Sequence, residues 1–156
     1  MKLTSVTGAP DPNAVTGRQR AGVRAPQGFD PEPRGVRGLD LRVGDGPEPF
    51  ALSVLVLSGL VRVVTNARIF TPPSALDEVF GFIAELAHRP TARIVGPGPD
   101  HMAIFERLCR DAGATGKLVA DAQHAAVAIE HGCTMVSTDS DFDRFPGLRW
   151  QHPLRP

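Results

Sequence analysis

Four aspartates in the second half of the chain could do metal chemistry, because two or three of their carboxylates would suffice to bind a divalent cation: Asp121, Asp139, Asp141 and Asp143. Three of them alternate directly after the apolar run CTMVST, which predicts a short buried strand at 133–138. The fourth lies in the first turns of a predicted helix at about 117–131, which has an apolar stripe and ends at Gly132. Sheets of parallel strands place their sites at the carboxyl ends of strands. We therefore expect the acids to serve chemistry at such an edge.

The predicted helix and strand have similar lengths, roughly 15–20 Å each. A tight turn at Gly132 would therefore bring Asp121 level with Asp139 at one end of the fold. Clustered carboxylates repel one another unless a cation binds between them. Mg²⁺ or Mn²⁺ would supply that cation, activate water and stabilise the charge of a phosphodiester transition state. Ser137 and Thr138 are then candidates to orient the carboxylates or bound waters.

A structural interpretation of the same acids stays open. Asp141 is a candidate N-cap of a short helical turn at 142–145. Asp143 would then be solvated, and Asp121 would be a charge in the first turn of its helix. Only a minority of such acidic clusters are metal sites, so the cluster alone does not decide between the two interpretations.

The remaining pattern predicts an α/β fold with a short parallel sheet flanked by helices. We expect a helix at 75–88 with Ser74 as its N-cap, and another at about 100–112 that ends at Gly113. The inward residues of the first would be Leu76, Val79, Phe80, Ile83 and Leu86, and those of the second Met102, Phe105, Leu108 and Cys109. Strands are expected at 92–96 and 148–151. The run FALSVLVLSGLVRVVTN fits a strand, a buried helix, or one leading into the other.

The composition changes near residue 50. Residues 1–50 hold 8 of the 16 glycines and 7 of the 15 prolines, and their few apolar residues follow no period. Such a segment buries too little apolar area to offset its ordering entropy. We interpret 1–48 as a Gly/Pro/Arg-rich segment, disordered or loosely attached, and 49–156 as the folded domain.

Bulk properties exclude several classes of protein. The 17 basic and 17 acidic residues cancel, so a polyanionic partner would need a local patch. No window resembles a membrane span or the apolar core of a signal peptide. Cys109 and Cys133 form no CxxC pair and are expected as reduced thiols in a cytoplasmic protein.

The segment LVADAQHAAVAIEHGCTMVSTDSDFDRFPGLRWQHPL resembles the C-terminal half of VapC-type PIN-domain ribonucleases, the toxins of type II toxin–antitoxin modules. Upstream, LVRVVTNARIF is similar to an R-V-x-T-N-x-R-I-F segment of one subgroup. The resemblance covers roughly residues 48–156. It implies a small three-layer PIN fold and Mg²⁺- or Mn²⁺-dependent cleavage of RNA. It also implies a metal site of Asp121, Asp139 and Asp141, a cognate VapB-like antitoxin and a homodimer.

The sequence departs from this family at two expected acids. No apolar strand carries D-x-N-x-L near the start, and Asp11-Pro12-Asn13 matches it only in letters because Pro12 interrupts a strand. Ser58 or Gly59 stands where a second acid is often found. The alternative function is therefore a catalytically degenerate PIN scaffold that only binds antitoxin or RNA. A frameshifted or mis-started N-terminal region would explain the departure, and a gene product that does not fold is a third hypothesis.

Overall fold

A computed structural model describes residues 49–152 and the backbone of the two-residue strand β1 (Ser5–Val6). The segment 1–48, interpreted above as disordered or frameshifted, lies outside the described residues apart from β1, as does Asp11-Pro12-Asn13. The other strands are β2 (Phe50–Ser53), β3 (Ala92–Val95), β4 (Thr134–Val136) and β5 (Arg149–Gln151). The helices of the described chain are α1 (Val54–Val64), α2 (Leu76–Ala87), α3 (His101–Ala112) and α4 (Lys117–Glu130). A 3-10 turn, Ser140–Arg144, follows β4.

The strands form one sheet in the order β3-β2-β1-β4-β5. The pairs β2–β3 and β4–β5 are parallel, as expected for the α/β fold. The short strand β1 lies in the centre of the sheet, without the D-x-N-x-L motif of the family, and pairs antiparallel with both β2 and β4. Because β2 and β4 both oppose β1, they run in the same direction. The carboxyl ends of all four longer strands therefore meet at one edge of the sheet, which is where the acids lie.

Helices cover both faces of the sheet and make three layers. Successive residues of a strand point to opposite faces, and β2 follows this rule. Its Ala51 packs with the residues of α3 and α4, whereas Phe50 and Leu52 pack with Leu86 of α2. All four residues of β2 are buried, which is typical of a strand covered on both sides.

The apolar run after residue 49 is a strand that leads directly into a helix. The Ser53 Oγ accepts a hydrogen bond from the backbone N–H of Leu55 at 3.2 Å and caps the start of α1. Periodicity alone left this open because valines and leucines fill both elements. The N-cap at Ser53 is the signal that separates them.

Helix α2 differs from its prediction at its cap and on its apolar face. Its flanking residue is Ala75, without a side-chain cap, so Ser74 is not the N-cap. Instead the Ser74 backbone N–H donates to the Val64 carbonyl at 2.9 Å. Val79 and Leu86 are buried, but Leu76 and Phe80 are each 56% exposed. The apolar face of α2 is thus wider than the surface that the described chain covers.

Helices α3 and α4 form the layer that carries the acids. The prediction that Met102 points inward is wrong, because this side chain is 67% exposed. Gly113 ends α3 in the left-handed conformation, with φ of 59°, as predicted. Gly132 turns the chain from α4 into β4 with φ of 62°, a conformation that glycine adopts without strain.

A carboxylate clamp fixes the end of α4 to the start of α3. The Glu130 side chain accepts hydrogen bonds from the backbone N–H groups of Gly98 at 2.8 Å and Asp100 at 2.9 Å. His131 Nε2 lies 2.8 Å from the Gly96 carbonyl oxygen in a hydrogen bond. These contacts hold the β3–α3 loop against α4.

In the described part of the chain, no helix is long and apolar enough to cross a membrane.

Candidate metal site at the carboxyl edge of the sheet

Asp121, Asp139 and Asp141 converge at the edge where the parallel strands end. Each offers a carboxylate oxygen, and the three oxygens lie within 4.8 Å of one another. Asp139 is buried, whereas Asp121 and Asp141 are partly exposed. The structure thus brings together all three acids that the sequence proposed, and the fold-back at Gly132 is what aligns them.

Helix α4 places Asp121 through its alanine stripe. Ala122, Ala125 and Ala126 are fully buried. Such small side chains let the helix backbone approach β4 and the 3-10 turn closely. The acid next to this stripe consequently lies against the residues that follow β4 rather than in open solvent.

The segment after β4 places the other two acids by local hydrogen bonds. The Ser137 hydroxyl accepts from the Asp139 backbone N–H at 3.1 Å, and Asp139 Oδ1 accepts from the Asp141 backbone N–H at 3.1 Å. Asp139, not Asp141, is therefore the N-cap of the turn. Phe142 and Phe145 are almost fully buried and anchor the turn in the core.

Strand β5 supports this segment from its other side. The Ser137 backbone N–H donates to the Gln151 carbonyl at 3.2 Å, and the Trp150 indole N–H donates to the Ser137 carbonyl at 3.1 Å. Both polar groups of the Ser137 backbone are thereby paired. The residue whose hydroxyl orients Asp139 is itself held by the neighbouring strand.

Lys117 is the residue of this site that the sequence analysis did not identify. Its ammonium Nζ lies 2.9 Å from Asp121 Oδ2, 3.2 Å from Asp139 Oδ2 and 3.1 Å from Asp141 Oδ2. These hydrogen bonds, the one to Asp121 first, raise the pKa of Lys117 above its ordinary range. A signal was available, because residues four apart on a helix are neighbours and Lys117 precedes Asp121 by four.

Other residues near these motifs stay outside the cluster. Asp143 is exposed and is not among the clustered acids. His124, one turn beyond Asp121, has a pKa lowered by burial, although the charge of Asp121 acts in the opposite direction. Helix α1 begins at the same edge and contains no acid, neither at Ser58 nor at Gly59. Ser58 instead lines a groove between α1 and α2.

The residues present fit a hard divalent cation. The donors are all carboxylate oxygens, the ligand type that Mg²⁺ and Mn²⁺ prefer. Their convergence on the Lys117 ammonium shows that this position already attracts positive charge. Asp121, Asp139 and Asp141 would hold such an ion.

Comparison with known proteins agrees with this fold. The PIN domain family model matches residues 28–148. The VapC ribonuclease Mb2897 of Mycobacterium bovis is 42% identical over 118 residues, which are 76% of this chain and 80% of the relative. Ribonuclease VapC31 of Mycobacterium tuberculosis is 38% identical over 129 residues, 83% of this chain and 91% of the relative. This chain belongs to the PIN domain family, and within it to the VapC group.

Among solved structures, VapBC2 from Rickettsia felis bound to a promoter DNA fragment matches with a TM-score of 0.48 at 19% identity. That match covers 65% of this chain and 72% of the other.

The family match begins at residue 28, inside the segment 1–48 that the composition set apart. The boundary between the two parts stays a prediction.

Proposed function

We propose that this chain is a toxin of the VapC kind, an endoribonuclease that depends on a divalent cation, Mg²⁺ or Mn²⁺. RNA is its substrate, and Asp121, Asp139 and Asp141 bind the metal. The observation that supports this most strongly is the convergence of the three carboxylates at the carboxyl edge of the sheet. The membership of the VapC group supports the same assignment.

The protein's own part in this reaction is to hold and orient. Ser137 and the buried Asp139 fix the position of the acids before any ligand arrives, so little reorganisation is needed at the moment of reaction. When bound, the cation would activate water and offset the charge that develops on the phosphodiester. Partly exposed Asp121 and Asp141 leave the edge open to a long RNA substrate.

The test is cleavage of a labelled pool of structured RNA by the purified chain. We expect cleavage with Mn²⁺, none with EDTA, and a loss of at least about 100-fold in Asp121→Asn. Asp143→Asn is the matched control. It removes an exposed acid of the 3-10 turn that also carries Asp141, and Asp143 lies outside the cluster. Its cleavage rate should equal that of the unaltered protein.

The outcome of that test also decides the alternative function. A well-folded protein that cleaves nothing with Mn²⁺ would be a degenerate PIN scaffold that only binds. That alternative rests on the absence of a D-x-N-x-L strand near the start and on Ser58 and Gly59, which stand in α1 where the family often has a second acid. Cleavage lost equally in Asp143→Asn would contradict the assignment of the three acids.

We propose a cognate VapB-like antitoxin as the partner, with the groove between α1 and α2 as its docking surface. This groove has a volume of about 520 Å³ and is lined by Leu57, Ser58, Val61, Arg62, Phe80 and Ile83. Its exposed aromatic side chain, Phe80, would insert between apolar residues of an antitoxin helix. We also propose a homodimer and a cytoplasmic location, where RNA substrates occur.

Inhibition of RNA cleavage by the purified antitoxin tests the groove. Phe80→Asp should weaken inhibition by at least about tenfold, because it places a charge in an apolar contact. Met102→Asp is the control, since Met102 is also a largely exposed apolar side chain but lies on α3, outside the groove. Equal inhibition of both variants would exclude the groove.

A further inference from the structure

Lysine is a rare residue in this chain and one of its two copies lies in the acidic cluster. The chain has 17 lysines and arginines together, and only Lys2 and Lys117 are lysines. An ammonium is a compact point charge that donates in three directions, whereas a guanidinium is a flat fork suited to one carboxylate. Of the two cationic side chains, lysine is the one whose charged group resembles a small metal ion.

The ammonium of Lys117 is bound by the three aspartates as a small metal ion would be. Its ammonium donates to one oxygen of each of Asp121, Asp139 and Asp141, and the three distances lie between 2.9 and 3.2 Å. The acceptor in every case is Oδ2, while Oδ1 of Asp139 is engaged by the backbone of the turn. The ammonium thus occupies the point that the three aspartates share.

The stem of the Lys117 side chain can rotate away from the aspartate cluster. The Lys117 side chain is 63% exposed, and its residue is the first of α4. Rotation of its stem into solvent would disturb neither the alanine stripe nor the buried phenylalanines of the turn. Helix packing therefore does not oppose removal of the ammonium from the cluster.

We propose that Lys117 is a built-in counter-ion, which holds the three aspartates together before metal binds and which the divalent cation must displace. This inference rests on the metal site of the proposed function. Without a cation the three carboxylates would repel one another, and the ammonium offsets that repulsion. The same oxygens cannot serve the ammonium and a metal fully at once. Lys117 therefore stabilises the metal-free fold and lowers the apparent affinity for metal.

Calorimetric titration with Mn²⁺ measures the competition. Lys117→Met keeps an unbranched stem as far as Cε and removes the charged group. It should bind Mn²⁺ about tenfold more tightly, because no charged hydrogen bonds are broken. Arg110→Met is the matched control, since it removes an exposed cation that pairs with Glu106 on α3. Its affinity should not change. Equal or weaker binding by Lys117→Met would overturn the inference.

Thermal unfolding tests whether Lys117 stabilises the fold when no metal is bound. In EDTA, Lys117→Met should unfold at a lower temperature than the unaltered protein, because its aspartates lack a counter-ion. With saturating Mn²⁺ the difference should disappear, since the metal then supplies the charge in both proteins. A Lys117→Met protein as stable as the unaltered one in EDTA would contradict the counter-ion role.

The ammonium group itself reports on its displacement. Only two lysine side chains contribute to a ¹H–¹⁵N spectrum selective for ammonium groups, and Lys117→Arg identifies the signal of Lys117. Added Mg²⁺ should move this signal toward the position of a solvated lysine, with its midpoint at the calorimetric affinity for Mg²⁺. A signal that stays unchanged at saturation would show that the ammonium is not displaced.

These measurements distinguish the failure of the two proposals. Mn²⁺ binding that Lys117→Met leaves unchanged would remove the counter-ion role and keep the metal site. No Mn²⁺ binding by either protein would remove the metal site, and the competition proposed for Lys117 with it.

Discussion

The carboxylate of Asp139 accepts a hydrogen bond from the backbone N–H of Asp141 at 3.1 Å. The first acid after β4 is therefore both a member of the cluster and the cap that positions the second acid. A buried cap and a charged ligand are different roles of one side chain, and substitutions can separate them.

Asp139→Asn should abolish metal-dependent cleavage while leaving the fold stable. Asparagine keeps an oxygen that can accept from the Asp141 N–H, but it has no charge to bind a cation. We expect Asp139→Asn to retain about 1 kcal/mol more unfolding free energy than a variant without the cap, measured by urea denaturation in EDTA.

Asp139→Ala removes the cap as well as the charge. It should lose cleavage and also about 1 kcal/mol of unfolding free energy, as other lost N-caps do. If the asparagine and alanine variants were equally destabilised, the hydrogen bond to Asp141 would not stabilise the turn.

The Glu130 clamp predicts a stability that depends on pH. Burial acts to raise the pKa of this carboxyl, but the hydrogen bonds from the N–H groups of Gly98 and Asp100 help to bring it below its ordinary value. A carboxylate with a lowered pKa stabilises the fold above its unfolded pKa of about 4.3, and this contribution is lost as the pH falls through the folded pKa. Glu130→Gln should cost about 1–3 kcal/mol at pH 7 and progressively less below about pH 4.

Glu106→Gln is the control for the clamp. Glu106 pairs with Arg110 on the exposed surface of α3, where an ion pair contributes little. Chemical denaturation of both variants across this pH range makes the comparison. A loss in Glu130→Gln that is constant from pH 7 to pH 3 would contradict the clamp.

The two cysteines should differ in reactivity. Burial raises the pKa of Cys133 to about 12, and its Sγ lies 3.3 Å from the His131 carbonyl. Thiolate is the reactive form, so Cys133 should resist a disulfide reagent in the native protein. Cys109 is only partly buried and should react. In Cys109→Ser we expect no thiol to react until guanidinium unfolds the chain, and fast native labelling of that variant would contradict the burial of Cys133.

Much of the fold after residue 49 follows from local signals in the sequence. Gly113 and Gly132 end their helices where the pattern predicted, and the parallel strand pairs confirm the α/β class. The prediction failed where tertiary packing decides. Leu76 and Phe80 have the right spacing for a core face, but the described chain covers only the Val79 side of α2. Periodicity shows which residues share a face and cannot show how much of it is covered.

The meeting of the aspartates could be predicted from element lengths, whereas the contacts of Lys117 at their centre could not. Asp121 and Asp139 are joined by one helix, one glycine turn and one strand, so lengths alone bring them level. Lys117 needed side-chain geometry, because an exposed lysine in the first turn of a helix is ordinarily solvated. Its contact with Asp139, 22 residues further on, exists only once the turn at Gly132 is formed.

Binding of Mn²⁺ tests the central claim most directly, since the aspartate cluster must hold a divalent cation for the proposed reaction to occur. Titration of the unaltered chain, Asp139→Asn and Asp143→Asn by calorimetry makes the measurement. We predict saturable binding that Asp143→Asn keeps and Asp139→Asn loses. Binding that survives in Asp139→Asn, or that is absent from the unaltered chain, would contradict the metal site.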